Sequence, residues 1–370
     1  MKIRYFQKGF NYSQDGRGNR LVYHLQGCNM RCKWCSNPWG LSAKPQLAVN
    51  RERCVGCGAC VRVCKQGVNR IAEDGKVEMD FSKCTTCGLC TQLCPAKCRQ
   101  ISGTRYTARQ LFDRVYRDLT FTRRGKSGIC LSGGEVLMQW EVAAEVLRLC
   151  KVNYIDTCIE TSLFATWDHV EAVVQYCDTV FVDLKHIDSA RHKEIAGVPN
   201  ELILENIQRL CTYQEARGKR VVVRHPVIPG MNDEESNWEG MADFMRDLAG
   251  SPQLNVLPYH NLGEAKYGMI GEECEVTGLD MMKKSDERIA RIQEIFASCA
   301  PEVRLTIGGE AVDWYSMVAG YLLQALGAGL VFLAADLVVF QKNVYDNNKI
   351  FYAAFLTALP AASALLRMLI

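Results

Sequence analysis

Eleven of the chain's 19 cysteines fall between Cys28 and Cys94, in three tight runs. No other feature limits the fold so strongly. A disulfide scaffold would be a short secreted chain led by an apolar export segment. This chain has 370 residues and begins MKIRYFQKGF, which contains no such segment. Clustered thiols of this kind read as metal sites in a reducing compartment, so a cytoplasmic location is expected. The isolated Cys130, Cys150, Cys158, Cys177, Cys211, Cys274 and Cys299 read as ordinary buried residues. A net charge of +3 gives no nucleic-acid footprint, and no nucleic-acid partner is expected.

The first run, Cys28, Cys32 and Cys35, has C-x3-C-x2-C spacing within GCNMRCKWCSNP. Three thiolates on one short loop can hold three irons of a [4Fe–4S] cube and leave the fourth open to a ligand. Structural zinc prefers paired C-x2-C arms that close a tetrahedron, which a lone triplet does not supply. The second run, Cys54, Cys57, Cys60 and Cys64, has C-x2-C-x2-C-x3-C spacing. The third, Cys84, Cys87, Cys90 and Cys94, repeats it and continues into Pro95. This is the run of bacterial two-cluster ferredoxins, in which the fourth cysteine serves the other cube. One cube should then take Cys54, Cys57, Cys60 and Cys94, and the other Cys84, Cys87, Cys90 and Cys64. Lys65 replaces the usual proline of the first run, which suggests a looser last turn, and Cys98 is spare. Closed cubes cannot bind substrate, so these two should relay electrons or stabilise their module.

Texture divides the chain into residues 1–38, 39–102, 103–309 and 310–370. The first contains a strand-like run, Leu21–Gln26. The second lacks the apolar residues for a core of its own and reads as a small metal-organised module. The third alternates strand candidates (Gly128–Ser132, Tyr154–Glu160, Thr179–Leu184, Arg220–Val227, Leu254–Tyr259, Val303–Ile307) with amphipathic helix candidates (Ala108–Leu119, Met138–Lys151, Trp167–Tyr176, Glu205–Glu215, Glu235–Leu248, Ser285–Ser298). Such alternation indicates a parallel sheet with covering helices. With the first strand counted and Val303–Ile307 left out, six strands suggest an α/β partial (β/α)6 TIM-like barrel with its chemistry at the C-terminal strand ends. An open doubly wound sheet is the alternative. In the fourth region Trp314–Ala335 and Ile350–Leu366 carry no charge. The first stretch is long enough to span a bilayer. Buried helices, membrane contact and an extension foreign to the catalytic unit are the three readings of this tail.

Further phrases follow the cysteine triplet in order: Ser132-Gly133-Gly134-Glu135 after a strand, Asp183-Leu184-Lys185 at another strand end, Arg224-His225-Pro226 through Asn232-Asp233, and Leu257-Pro258-Tyr259-His260. Glycines at 133 and 134 would let the backbone approach a ligand closely. Alone, Asp183 and Lys185 would read as a surface ion pair, and each histidine as a satisfied core residue.

Taken together, GCNMRCKWCSNP, LSGGEVLMQWE, DLKHID, HKEIAGVPNELILENI, HPVIPGMND and NVLPYHNLGEAKYG resemble the glycyl radical enzyme activating enzymes of the radical S-adenosylmethionine (SAM) superfamily. The resemblance runs from about Tyr5 to Gly309 and is strongest to members with a two-cluster insert, which serve choline lyase-like, glycerol dehydratase-like and arylacetate decarboxylase-like partners. It implies three [4Fe–4S] clusters and SAM as cofactors. It assigns Cys28, Cys32 and Cys35 to the SAM-cleaving cluster, and Trp34, Cys35, Ser36, Gly133, Gly134, Glu135, Asp183, Leu184, Lys185, His225 and His260 to SAM. An acidic residue near Glu160 helps hold a cation or SAM in similar enzymes, and Val136 stands where the family usually has proline. The implied reaction takes an electron from reduced flavodoxin or ferredoxin, cleaves SAM to methionine and a 5′-deoxyadenosyl radical, and removes hydrogen from one glycine of a partner enzyme. The basic Arg105, Arg109, Arg114, Arg117, Arg123, Arg124 and Lys126 read as a solvated helix face or as a docking surface for an acidic flavodoxin.

Overall fold

The computed structural model describes residues 2–10, 20–120 and 127–309. The hydrophobic tail and Arg123, Arg124 and Lys126 lie outside the described residues. In chain order the elements begin with β1 (Ile3–Phe10) and β2 (Arg20–Leu25). The cysteine loop follows, then β3 (Leu47–Val49), α1 (Ala59–Val63), β4 (Asn69–Ile71), β5 (Val77–Met79), α2 (Leu89–Gln92) and β6 (Arg99–Ile101). Next come β7 (Thr104–Tyr106), α3 (Ala108–Thr120), β8 (Gly128–Gly133), α4 (Trp140–Val152), β9 (Asp156–Thr161), α5 (Trp167–Val174) and β10 (Thr179–Asp183). The chain continues through α6 (Ser189–Ala196), α7 (Glu201–Glu215), β11 (Arg220–Val227), α8 (Glu235–Arg246), β12 (Gln253–Pro258), α9 (Glu264–Gly268), α10 (Glu287–Cys299) and β13 (Leu305–Ile307).

The main sheet runs β13-β12-β11-β10-β9-β8-β2-β1-β7. From β2 to β13 neighbours are parallel, while β1 joins β2 and β7 antiparallel. The sheet therefore extends past the six expected strands at both edges. Leu305–Ile307, left out of the expected six, pairs with Leu254–Val256. At the other edge β1 pairs Ile3–Tyr5 with Thr104–Tyr106 of β7. The three-residue β7, exposed at Thr104 and Arg105, carries too short a pattern to read from sequence.

Alternate strand residues separate the two faces. Leu21, Tyr23, Ile129, Leu131, Ile159, Val180, Val182, Val223 and Leu254 share one core with the helices. The opposite positions Val22, Cys130, Cys158, Phe181 and Val222 form a separate small cluster. On that face Arg224 of β11 bonds Glu160 of β9, reaching across β10. Helices on one face and side chains joining across an intervening strand on the other mark a curled, open wall rather than a doubly wound layer.

Side chains cap the starts of three of the described α-helices. Thr107 accepts from Gln110 N at the start of α3 (3.2 Å). Asp188 accepts from Arg191 N at the start of α6, and Asp286 from Arg288 N at the start of α10. The helix expected from Met138 opens instead with a 3-10 turn, Val136–Gln139, capped by the Glu135 carboxylate. Helices α6 and α9 were not expected; each is short and carries a mixed, weakly periodic sequence. Five isolated cysteines are buried as expected, but Cys274 and Cys299 are partly exposed. Among the described residues no helix is long and apolar enough to cross a membrane.

Candidate functional site

The cysteine triplet leaves β2 at Gly27 and is tied down from three sides. From the turn after β8, Glu135 N donates to Gly27 O (2.7 Å) and Gly134 N to Leu25 O (2.8 Å). At the end of α6, Ala196 O accepts from Arg31 N (2.9 Å) and Ile195 O from Lys33 N (3.0 Å). From α9, Lys266 Nζ donates to Ser36 O (2.7 Å), and Trp39 Nε1 returns a bond to Lys266 O. Met30, Ile195 and Ala196 pack beneath Cys28, Cys32 and Trp34. Burial pushes the thiols of Cys28 and Cys32 up to about 12 and that of Cys35 up to about 11. An iron bound there must displace these protons, so loading couples to proton release.

The glycines of the Ser132–Glu135 turn are required by the surrounding backbone. A Cβ on Gly133, whose φ is +112°, would sit 2.3 Å from Leu25 N. On Gly134 it would lie 2.3 Å from Gly27 O and 2.7 Å from Gly40 O. Both are glycine because the backbone of β2 and of the cysteine loop presses against them. Glu135 is buried, and its carboxylate is fully engaged. It accepts from Leu137 N (3.0 Å), Thr161 Oγ1 (2.6 Å), Ser162 N (2.8 Å) and Ser162 Oγ (2.7 Å).

Asp183 and Lys185 are not a surface pair. Lys185 Nζ lies 2.9 Å from Asp183 Oδ2, with its side chain only 8% exposed. Burial works against its charge, but Asp183 and the sulfurs of Cys32 and Cys28 hold its pKa above the ordinary lysine value. A buried cation thus faces the thiol loop. His225 is buried in β11, and its Nδ1–H donates to Leu184 O (2.9 Å). Among the described residues its Nε2 is buried without a partner, a bare acceptor of the kind a ligand hydroxyl satisfies. His260 lies exposed beyond β12. The wall also carries Ser132 and Arg224, both bonded to Glu160. Arg224 also covers the Phe181 ring at 3.9 Å. Sequence reasoning overlooked Lys266 and the Arg224–Glu160 pair; the signal for the former was the lysine in GEAKYG.

Burial holds His225 and His192 at a pKa of about 4, below the ordinary 6.5. The unfolded chain therefore binds more protons between those values, and stability must fall as pH drops from about 6.5 toward 4. Melting temperatures across that range should decline. In His225→Gln and His192→Gln variants the decline should be shallower; an unchanged slope would contradict the assignment.

Residues 47–101 form two matching halves. Gly58 and Gly88, both left-handed, start α1 and α2. Gly56 N points at Cys54 Sγ (3.5 Å), Thr86 N at Cys84 Sγ (3.4 Å) and, in the triplet, Met30 N at Cys28 Sγ (3.4 Å). Amide hydrogens aimed at the first sulfur of every run suit thiolate ligands of iron. One cavity is lined by Cys54, Cys57, Cys60 and Cys94, another by Cys64, Cys84, Cys87 and Cys90. These are the interleaved sets the spacing implies, and the donor chemistry fits iron–sulfur cubes. Lys65 does not loosen its run: Gly67 N bonds Cys64 O and Lys97 N bonds Cys94 O, both at 3.2 Å. Among the described residues no three His, Cys, Asp or Glu side chains converge as one metal ion would require. The described basic residues of α3 are locally engaged. Arg109 pairs with Asp113, Arg114 with Tyr106, and Arg117 with the Asp113 carbonyl, as a solvated face would be.

Residues 82–239 match the radical SAM superfamily model, and residues 53–98 match the 4Fe–4S dicluster domain model. The choline trimethylamine-lyase activating enzyme of Oleidesulfovibrio alaskensis is 38% identical over 281 residues, 74% of this chain and 89% of that protein. The isethionate sulfite-lyase activating enzyme of Nitratidesulfovibrio vulgaris is 36% identical over 290 residues, 77% and 92%. A solved domain of a pyruvate-formate lyase-activating enzyme from Bacteroides vulgatus aligns over 49% of this chain and 99% of its own, with 30% identity and a TM-score of 0.40. A thiol triplet at the head of a parallel sheet, two interleaved thiol sets and relatives at this identity over nearly their full length lead to one conclusion: the chain belongs to the glycyl radical enzyme activating enzymes of the radical SAM superfamily.

Proposed function

We propose that this chain is a partial-barrel enzyme in which Cys28, Cys32 and Cys35 hold a [4Fe–4S] cluster open at one iron, and that it installs a glycyl radical on a partner enzyme. The observation that carries the reading is the triplet loop pinned against the β2 and β8 ends, with the buried Lys185 cation beside Cys28 and Cys32. When bound, the reduced cluster supplies one electron to the sulfonium of SAM, giving methionine and a 5′-deoxyadenosyl radical that takes hydrogen from the partner's glycine. The chain's own part is to orient and to exclude water. Lys185, held in its charged form, attracts the SAM carboxylate, and the bare Nε2 of buried His225 accepts from a ribose hydroxyl. Trp34 and Ser36 on the cysteine loop and Asp183 beside Lys185 belong to the same region, Leu184 anchors that turn in the core, and Gly133, Gly134 and Glu135 hold the loop in place. His260, exposed beyond β12, caps the outer rim.

The insert would carry two further cubes, on Cys54, Cys57, Cys60 and Cys94 and on Cys64, Cys84, Cys87 and Cys90, and relay electrons from reduced flavodoxin or ferredoxin. The partner is of the class served by the relatives, which are named for lyases of choline and isethionate. Anaerobic mixing of reduced protein and SAM with a panel of such lyases is the test. The expected result is a protein-centred doublet in electron paramagnetic resonance on one partner, matched by an equal amount of 5′-deoxyadenosine. Rapid turnover of a small molecule with no radical on any partner would contradict the reading.

A further inference from the structure

We propose that Cys98 is a second thiol for the cluster corner that Cys94 occupies, so that either residue can ligate the same iron. The inference rests on the reading that the insert holds two cubes. Cys98 Sγ lies 3.4 Å from Cys94 Sγ. It lines the same cavity as Cys54, Cys57, Cys60 and Cys94, and its residue is only 5% exposed. Five thiols therefore meet where a cube offers four irons.

The internal repeat shows that packing does not require sulfur at this position. Four residues beyond Cys64 stands Val68, as Cys98 stands four beyond Cys94. Val68 is equally buried, and its carbonyl accepts from Asp80 N (2.9 Å), as the Cys98 carbonyl accepts from Asn50 N (2.8 Å). The two halves thus fold alike with valine in one and a thiol in the other. Neighbouring contacts hold the Cys98 backbone in place: Arg99 pairs with Val49 in β3, and its Nη2 donates to Asn69 Oδ1 (2.7 Å). The left-handed turn at Lys97, with φ at +46°, folds Cys98 back toward Cys94. Exchange between the two ligands moves no electron. One Fe–S bond breaks and one forms, and the incoming thiol's proton passes to the outgoing thiolate.

Iron and sulfide content of anaerobically reconstituted protein tests this directly. Cys94→Ala should retain the wild-type amount, about twelve irons for three cubes. Cys64→Ala, whose repeat offers only Val68, should lose about four, as should the Cys94→Ala/Cys98→Ala double variant. Loss of a cube from Cys94→Ala alone would overturn the proposal. If that variant fails to fold, Cys64→Ala/Val68→Cys answers instead: a reserve thiol at the matching position should restore the missing irons, and failure to restore them would overturn it equally. Wild-type protein with only about four irons would sink the two-cube reading itself, a result distinct from these.

Discussion

Replacing Cys28 with alanine should reduce SAM cleavage below detection, a fall of more than about ten-thousandfold, while about two thirds of the bound iron remains. The size of the effect follows from how little redundancy the triplet has. Cys28, Cys32 and Cys35 sit on one eight-residue loop, and none of the isolated cysteines joins them in its packing cluster. The loop's backbone is held independently of the Cys28 sulfur. Gly27 N bonds Gly40 O (2.8 Å), and Cys28 N bonds Leu41 O (3.3 Å). The fold should therefore survive, and the insert, organised by its own thiols and the small core of Leu47, Val49, Cys60, Val77 and Cys90, should keep its metal. Iron analysis beside a 5′-deoxyadenosine assay reads both parts. Cleavage persisting at the wild-type rate would remove the triplet from the chemistry.

Replacing Glu135 with alanine should lower stability by about 3–5 kcal/mol and the melting temperature by roughly 5–10 °C. The resemblance gives this carboxylate to the SAM ammonium group, but the geometry commits both oxygens to the protein. Two of its donors, Leu137 N and Ser162 N, are backbone groups that cannot rotate toward other partners. Deleting the acceptor leaves them buried and unmet. Glu135→Gln keeps one accepting oxygen and should fall between alanine and wild type. A thermal melt paired with SAM titration separates the roles: a direct SAM contact would lose affinity at an unchanged melting temperature, whereas a turn-holding residue loses stability first.

Much of this was legible in the sequence because it rests on short-range rules. Strands β8 to β12 were readable because buried parallel strands are continuous Val/Ile/Leu runs. The interleaving of the two thiol sets followed from a duplicated spacing alone. What was hidden depends on which chains lie side by side. Gly133 and Gly134 announce freedom from side chains, but not whether a ligand or the β2 backbone needs the space. Without the resemblance, Asp183 and Lys185 would read as a surface pair, because spacing does not reveal that the Lys185 cation lies beside Cys28 and Cys32. Lys266 gave no motif by itself; its role appears only when α9 folds back onto Ser36. Edge strand β7 was missed because three residues carry no measurable alternation, while Val303–Ile307 was read as a strand but not as part of the sheet's wall.

The central claim is a cluster held by three thiolates, with one iron free to grip SAM. The most direct measurement is the electron paramagnetic resonance spectrum of the reduced protein with and without SAM, after Cys64→Ala and Cys57→Ala have removed the insert's contribution. A signal whose shape shifts on adding SAM, and which is absent when Cys28→Ala is added, is the predicted result. A signal from that centre that SAM leaves unaltered would contradict the account.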